Sequence, residues 1–219
     1  VQKTAYGQAS PFIRGFTGFR TLLLIDGIRL NNSVFRSGPN QYWATVDSLS
    51  IARAELLKGP SSALYGSDAM GGTLNAIPET RDPAQGGGWE RRVYLRAASA
   101  EHSTTERVAM SGLPAKDLGL TLGYSHKDYG DLRAGSPTGR QENTAYRERD
   151  WDGSLVYRFN PDTSLTFAHQ QVRLIDAPRT HSTIYAQGFH GTLIGGDLKR
   201  DLDQSRDLTY LKLKAENAG

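Results

Sequence analysis

Apolar and polar positions follow two different patterns along this chain. Up to about residue 80 the apolar runs are short and are separated by glycine turns. Residues 20–25 are apolar on both faces and end at Asp26-Gly27, which favours a hairpin turn into residues 28–30. A turn leading into a strand, a short helix with a serine cap and a further strand are predicted at residues 46–57, 61–66 and 71–77. The pattern predicts a small mixed α+β unit.

From residue 89 onward the chain alternates apolar and polar residues over longer segments. In the third of these segments, for example, Leu118, Leu120, Leu122 and Tyr124 share one face. The pattern predicts six strands, at residues 89–100, 104–113, 118–125, 151–159, 164–175 and 205–216.

The connections between these strands differ in length. Residues 114–117 and 160–163 are predicted as tight turns, whereas residues 131–148 and 176–204 are long and polar. Short turns at one end and long loops at the other are typical of a bacterial outer-membrane barrel, and the strand lengths suit the ~9–11 residues that cross a bilayer. A soluble β-sandwich also alternates, usually with shorter strands, so the pattern favours a barrel over a sandwich.

Composition removes several classes of protein. The net charge is only +3, without the concentrated basic stripe that nucleic-acid binding requires, and cysteine is absent, which excludes disulfides and thiolate sites. No apolar run is long enough for a membrane-spanning helix. The mean hydropathy of −0.51 does not argue against a barrel, because barrel strands alternate in polarity.

No catalytic motif accounts for this chain. The glycines at residues 66–72 lack the Gly-Lys-Ser/Thr ending of a phosphate loop, and Ser61 and Ser62 lie outside any Gly-x-Ser-x-Gly elbow. Asp26 and Asp68 are explained by turn geometry. We therefore expect no enzyme activity and no cofactor; a soluble β-rich enzyme would need a catalytic cluster that the sequence does not present.

Three motifs in the first part occur in order and in register. They are Phe12-Ile13-Arg14-Gly15, Leu23-Leu24-Ile25-Asp26-Gly27, and the run from Lys58-Gly59-Pro60 through Tyr65-Gly66 to Gly71-Gly72. Together they resemble the plug of TonB-dependent outer-membrane receptors. The resemblance implies that residues 1–80 are the C-terminal part of the plug, 81–88 a linker, and 89–219 the first six or so strands of the barrel. We expect both chain ends to be internal to a longer protein, with the TonB box upstream of Val1.

The resemblance also implies a function. Such receptors import a scarce metal chelate across the outer membrane, with a ferric siderophore or haem as the first expectation and cobalamin next. The implied partners are TonB with its inner-membrane energising complex, outer-membrane lipid and the small-molecule chelate, and no nucleic acid. An outer-membrane ligand sensor without transport and TonB-dependent oligosaccharide uptake remain alternatives.

Site residues are predicted from the same resemblance. The charged residues expected to seat the plug in the barrel are Arg14, Arg53, Glu55 and Lys58. If the strand at Ile13 descends, the turn at 16–19 faces the periplasm, the next strand climbs, and residues 31–43 form an extracellular apex. Its mixture of aromatic and polar residues suits a large ligand; the candidates are Phe35, Arg36, Asn40, Gln41, Tyr42 and Trp43. Haem-iron ligands are a further possibility in the loop after the fifth strand, at His181, Tyr185 and His190.

Overall fold

The computed structural model describes residues 7–30, 38, 41–136, 139–179, 184 and 194–216. It contains two β-sheets, one of four strands and one of six. The four-stranded sheet and the segments attached to it, up to residue 79, are called the first unit below. Among the described residues, no helix is long and apolar enough to cross a membrane.

The four-stranded sheet has the order β2-β1-β4-β3. Its strands are β1 (Thr21–Ile25), β2 (Ile28–Arg29), β3 (Ile51–Lys58) and β4 (Gly72–Pro78). Every residue of β1 is buried, as expected for a segment that is apolar on both faces. The predicted hairpin between β1 and β2 is present, and Asp26 and Gly27 take the positive φ angles of +50° and +82° that such a turn requires.

The short helical elements of the chain are one α-helix, α1 (Ser62–Tyr65), and three 3₁₀ turns, at Gly18–Arg20, Trp43–Thr45 and Pro83–Gln85. The helix prediction is confirmed, but the predicted serine cap is wrong, because the Ser61 side chain forms no capping hydrogen bond. Its hydroxyl instead lies 2.7 Å from Thr73 Oγ1 on β4. The helix is thereby tied to the sheet.

The six-stranded sheet is antiparallel and open, with β5 and β10 at its edges in the order β10-β9-β8-β7-β6-β5. Its strands are β5 (Glu90–Ala98), β6 (Ser103–Ala115), β7 (Leu118–Tyr129), β8 (Tyr146–Asn160), β9 (Thr163–Pro178) and β10 (Asp201–Ala215). All six predicted strands are therefore present, and most are longer than predicted. The tight turns at 116–117 and 161–162 define the short-turn end of the sheet, and the opposite end is called the long-loop end.

The two faces of the six-stranded sheet differ in chemistry. The inner face packs on the first unit and carries buried polar side chains such as Arg107, Ser125 and Lys127. The outer face is apolar from the short-turn end to the middle of the sheet. It is largely exposed, with Leu95 at 72% and Leu211 at 68% of full exposure. Outer-face members of this apolar band are Val93, Leu95, Val108, Leu122, Trp151, Leu155, Tyr157, Phe159, Phe167, Leu211 and Leu213.

The predicted direction of β1 is wrong. β1 ends at Asp26, which bonds to Tyr210 and Lys212 on the part of β10 nearer the short-turn end. The turn preceding β1 lies against Gly38, because a Cβ on Gly18 would be 2.5 Å from the Gly38 oxygen. This turn therefore lies beside the segment expected at the opposite end. The direction of β1 is fixed by contacts with distant segments, its pairing with β4 and the Asp26 contacts on β10, which nothing in the local sequence specifies.

Candidate functional site: the charged contact between the two sheets

Asp47 of the first unit is the centre of the contact with the six-stranded sheet. It follows the 3₁₀ turn at Trp43–Thr45 and begins a tight turn, in which the Leu49 amide donates to Asp47 Oδ1 over 2.9 Å and the Ser50 amide donates to the Asp47 carbonyl. This local geometry aims the side chain at the inner face, where Asp47 is 2% exposed. Its carboxylate accepts from Ser125 Oγ and from Lys127 Nζ, each over 2.7 Å.

Lys127 on β7 is surrounded by carboxylates. Its ammonium lies 2.5 Å from Glu148 Oε1 and 3.1 Å from Asp150 Oδ2, both on β8, in addition to the contact with Asp47. The three carboxylates lie within 4.8 Å of one another, a spacing that suits a cation. The Lys127 ammonium is the cation that they surround, so the cluster functions as an ion-pair network.

Arg107 on β6 extends the network sideways. Its guanidinium forms a two-point contact with Asp152 on β8, at 2.8 and 3.0 Å, and donates to Ser125 Oγ over 3.1 Å. It also lies 3.5 Å from Asp47. The Asp47 carboxylate of the first unit thus contacts side chains of β6 and β7, and those side chains are bound in turn to carboxylates of β8. The side chains of this network are at most 10% exposed.

The pKa of Asp47 is lowered from its ordinary value. Burial alone raises the pKa of this carboxyl group, and the nearby Lys127 ammonium and the hydrogen bonds from Lys127, Leu49 and Ser125 outweigh it. Asp47 is therefore ionised at neutral pH. Its contribution to the contact is present above the ordinary aspartate pKa of ~3.9 and is lost as the pH falls through the lowered value.

Further charged contacts surround the centre. Three of them pair an acidic group of the chain up to residue 82 with a basic group of the six-stranded sheet, whereas Arg81 pairs in the opposite sense with Glu90 of β5 at 2.9 Å. Asp26 Oδ1 lies 2.7 Å from Lys212 Nζ, Glu79 pairs with Arg92 at 2.6 Å, and Asp82 pairs with Arg158 at 2.8 Å. Arg206 Nε donates to the Thr45 carbonyl over 2.8 Å. The first unit is seated by carboxylates that meet arginines and lysines.

The four residues predicted to seat the plug lie elsewhere in the structure. Arg53 and Glu55 are both on β3 and pair with each other at 2.9 Å, and Glu55 also accepts from Asn75 on β4. Arg14 and Lys58 are exposed. Within the described ranges none of the four bonds to the six-stranded sheet, and a seating role for them stays a prediction.

The predicted ligand residues are described only in part. Gln41, Tyr42 and Trp43 are half-buried, and Tyr42 forms a bridge to Ala9. The neighbouring Ala44 packs on an apolar cluster at the long-loop end, formed by Tyr146, Val172, Leu174 and Ala177. Phe35, Arg36 and Asn40 lie outside the described residues, as do the haem candidates His181, Tyr185 and His190.

Sequence reasoning missed the acidic residues that make the contact. Asp26 was explained by its turn alone; it does take a left-handed conformation, and it also pairs with Lys212. Asp47 lies in an ordinary-looking Val-Asp-Ser turn, and its partner Lys127 is 80 positions away. The sequence did contain one usable signal. Charged residues recur at inner-face positions within β6, β7 and β8, and charges inside strands cannot be explained as solvated loop residues.

Comparison with known proteins places this geometry in a family. Residues 1–73 match the family model described as the TonB-dependent receptor plug domain. The vitamin B12 transporter BtuB of Vibrio vulnificus is 33% identical over 161 residues, which cover 71% of this chain and 24% of that protein. The chain thus spans about a quarter of the length of this relative.

Two solved structures illustrate the likeness of fold. The FrpB iron transporter of Neisseria meningitidis has a TM-score of 0.72 at 17% identity, covering 91% of this chain and 31% of that one. A mutant of the ferric enterobactin receptor of Pseudomonas aeruginosa has a TM-score of 0.60 at 19% identity, covering 90% and 31%. Identities this low show the fold alone. The plug match and the BtuB relative show that this chain belongs to the TonB-dependent receptors, and the solved structures show its fold, a plug domain followed by antiparallel strands of an open sheet.

Proposed function

We propose that the complete protein is an outer-membrane receptor that imports a metal chelate in a TonB-dependent manner, and that the first unit is its displaceable plug. The observation that carries the proposal is the contact at Asp47. A single buried carboxylate contacts side chains of two strands of the opposite sheet and joins two bodies through polar contacts rather than through one continuous apolar core. Such a contact holds a plug in place and can be replaced by water when the plug is pulled.

The outer face of the six-stranded sheet supports a place in the outer membrane. Tyr157 and Phe159 form an aromatic pair near the short-turn end, with ring centroids 4.9 Å apart. Tyr124 and Trp151 form another toward the long-loop end, at 4.6 Å. Trp151 and Phe159 are separated by ~26 Å along β8 at ~3.3 Å per residue, or ~20 Å vertically for a strand tilted by ~40°. This is close to the ~25 Å apolar band between the aromatic girdles of outer-membrane barrels.

In this setting the long-loop end faces the exterior and the short-turn end faces the periplasm. Gln41, Tyr42 and Trp43 then lie on the exterior side of the plug, beside the apolar cluster at the long-loop end. Gln41 Oε1 is buried and has no hydrogen-bond partner among the described residues, so a polar ligand reaches this acceptor only when the neighbouring side chains move. We propose that these residues contact the chelate, as a flat aromatic surface with polar groups around it.

The ligand class follows from the relatives. The curated relative is a vitamin B12 transporter, and the similar structures include an iron transporter and a receptor for ferric enterobactin. A ferric siderophore or haem and a cobalamin are therefore the ligands to test. We assign TonB as the energising partner, acting from the periplasm on a segment upstream of the first unit.

The test is to combine an uptake assay with a reversible crosslink in the complete receptor. A Cβ on Gly7 would be 3.0 Å from Ala177 Cβ, so the two backbones need to separate by only ~0.8 Å to reach the ~3.8 Å of a disulfide, and this chain has no cysteine of its own. Gly7→Cys with Ala177→Cys would therefore tie the first unit to β9 under oxidising conditions. Uptake of labelled ferric siderophore, haem and cobalamin is measured with and without TonB, before and after reduction, with each single-cysteine variant as the control.

The expected result is uptake of one ligand that requires TonB, stops in the oxidised double variant and returns on reduction. Uptake that continues in the fully crosslinked receptor would refute displacement of the first unit. Binding without TonB-dependent uptake for every ligand would favour the sensor. Failure of the complete protein to reach the outer membrane would refute the barrel.

A further inference from the structure

Three basic side chains form a row on the outer face of the six-stranded sheet. The strand register places His126 on β7 directly opposite Arg149 on β8, and Arg149 directly opposite Arg173 on β9. Their inward neighbours Ser125, Glu148, Asp150, Val172 and Leu174 are buried, so the row itself points away from the first unit. Both arginines are exposed.

The two arginines of the row have no charged partner within the described part of the sheet. Side chains directly opposite one another have Cβ atoms ~5 Å apart, and like charges at such positions destabilise a strand pair. Across the described ranges, neither Arg149 nor Arg173 forms an ion pair or a hydrogen bond through its side chain. By contrast Arg147, one row closer to the long loops, lies 3.6 Å from Asp176.

Carboxylates lie beside the row, but among the described residues none of them pairs with its two arginines. Glu106 continues the row on β6, directly opposite His126 and on the side away from the arginines, and Asp128 is opposite Arg147. Asp207 on β10 is opposite Gln171 and accepts a hydrogen bond from the Gln171 side-chain amide over 2.6 Å. The two guanidinium groups therefore lie side by side on the outer face, and neither is neutralised by a carboxylate of the described residues.

The height of the row on the sheet identifies the kind of anion. Arg149 lies two positions beyond Trp151 toward the long loops, so it is ~7 Å past the aromatic pair that ends the apolar band. In a membrane, aromatic side chains lie at head-group level, and the next layer outward holds the charged parts of the lipids. Guanidinium groups favour phosphate, which they bind through two parallel hydrogen bonds.

We propose that His126, Arg149 and Arg173 form a binding row for the phosphate groups of outer-leaflet lipid. This inference rests on the proposed outer-membrane location and goes beyond uptake, because the row lies on the face away from the plug. One phosphate bridges Arg149 and Arg173, and the imidazole of His126 hydrogen-bonds to the same head group. The bound lipid removes the repulsion between the two arginines and fixes the height of the sheet in the membrane.

The experiment uses the complete receptor purified in a neutral detergent. It is titrated with a diphosphorylated glycolipid, with the same lipid after enzymatic dephosphorylation, and with inorganic phosphate alone, and bound lipid is counted by native mass spectrometry. Arg149→Gln with Arg173→Gln is the test variant. Arg133→Gln with Arg200→Gln is the matched control, because it removes two exposed arginines from the loops at the same end.

The wild-type protein should bind the phosphorylated lipid and not the dephosphorylated form. At ~1 kcal/mol per arginine near a lipid surface, the test variant should bind about thirty-fold more weakly, and the control should change less than about threefold. If the test variant bound the lipid as tightly as the wild type, or if the control lost as much affinity as the test variant, the proposed phosphate-binding row would be refuted. Binding of inorganic phosphate as tight as that of the lipid would overturn its assignment to the membrane. A receptor that inserts and transports normally while failing these tests would leave the proposed function intact.

Discussion

The substitution Asp47→Asn tests whether one carboxylate holds the first unit against the six-stranded sheet. Asparagine keeps the shape of the side chain, and its carbonyl oxygen still accepts from the Leu49 amide or from Ser125. What is lost is the negative charge next to Lys127. The change therefore isolates the charged contact from the local turn that positions it.

The magnitude follows from what remains after the charge is removed. Lys127 keeps Glu148 and Asp150, and Arg107 keeps Asp152, so no buried cation is left alone. The loss is then that of one charged hydrogen bond, ~2 kcal/mol, rather than the ~3–5 kcal/mol of a broken buried pair. Lys127→Met is the opposite case, because it leaves three carboxylates without their shared cation and should cost ~4 kcal/mol or more.

Hydrogen exchange of the complete receptor, followed by mass spectrometry, measures both effects. For Asp47→Asn, amides in residues 41–58 should exchange about thirty-fold faster, and those in the six-stranded sheet should be unchanged. For Lys127→Met the acceleration should be larger and should extend into β7 and β8. Unchanged exchange in residues 41–58, or a larger effect of Asp47→Asn than of Lys127→Met, would refute the reasoning.

Three further changes have outcomes that the same measurements check. Burial raises the pKa of Asp47, but the Lys127 ammonium and the hydrogen bonds to the carboxylate together outweigh it and lower the pKa, so protection of the first unit should be constant from about pH 5 to 8 and fall below about pH 4; a loss centred near pH 6 would contradict this. Gly72→Ala should destabilise the first unit by ~2–4 kcal/mol, since Gly72 has φ +153° and an added Cβ would lie 2.4 Å from a β3 carbonyl oxygen, whereas Gly86→Ala, in open space, should cost ~1 kcal/mol. Asp26→Asn removes the negative charge that Lys212 and Tyr210 contact on β10; because the Asp26 side chain is buried while the Lys212 end is half exposed, the change should cost ~1–2 kcal/mol, and a loss of ~4 kcal/mol would contradict this.

The fold class was predictable because alternation and turn chemistry are local signals. The six long strands and the Asp26-Gly27 hairpin were found in this way. Strand ends were less accurate, and β8 shows the reason. Its apolar alternation begins at Trp151, yet the strand begins at Tyr146, since Arg147 and Arg149 continue the outward face with charge instead of apolar side chains.

The contact between the sheets was not predictable for a different reason. Asp47 and Lys127 each fit an ordinary local explanation, and only the three-dimensional structure brings them within 2.7 Å. The predicted direction of β1 was wrong for a similar reason. The contacts that orient β1 join it to β4, about 50 positions away, and to β10 at the far end of the chain. Local sequence patterns do not indicate which distant segments will pair.

The arrangement of charges on the inner face has a consequence for repeated use of the receptor. When Asp47 is removed from the centre of the contact, Lys127 keeps Glu148 and Asp150, and Arg107 keeps Asp152. At the margin, Arg92 and Lys212 lose Glu79 and Asp26, but these two cations are about half exposed and gain water instead. In the displacement proposed above, the buried cations of the sheet therefore keep a carboxylate, and the first unit returns to partners that have stayed in place.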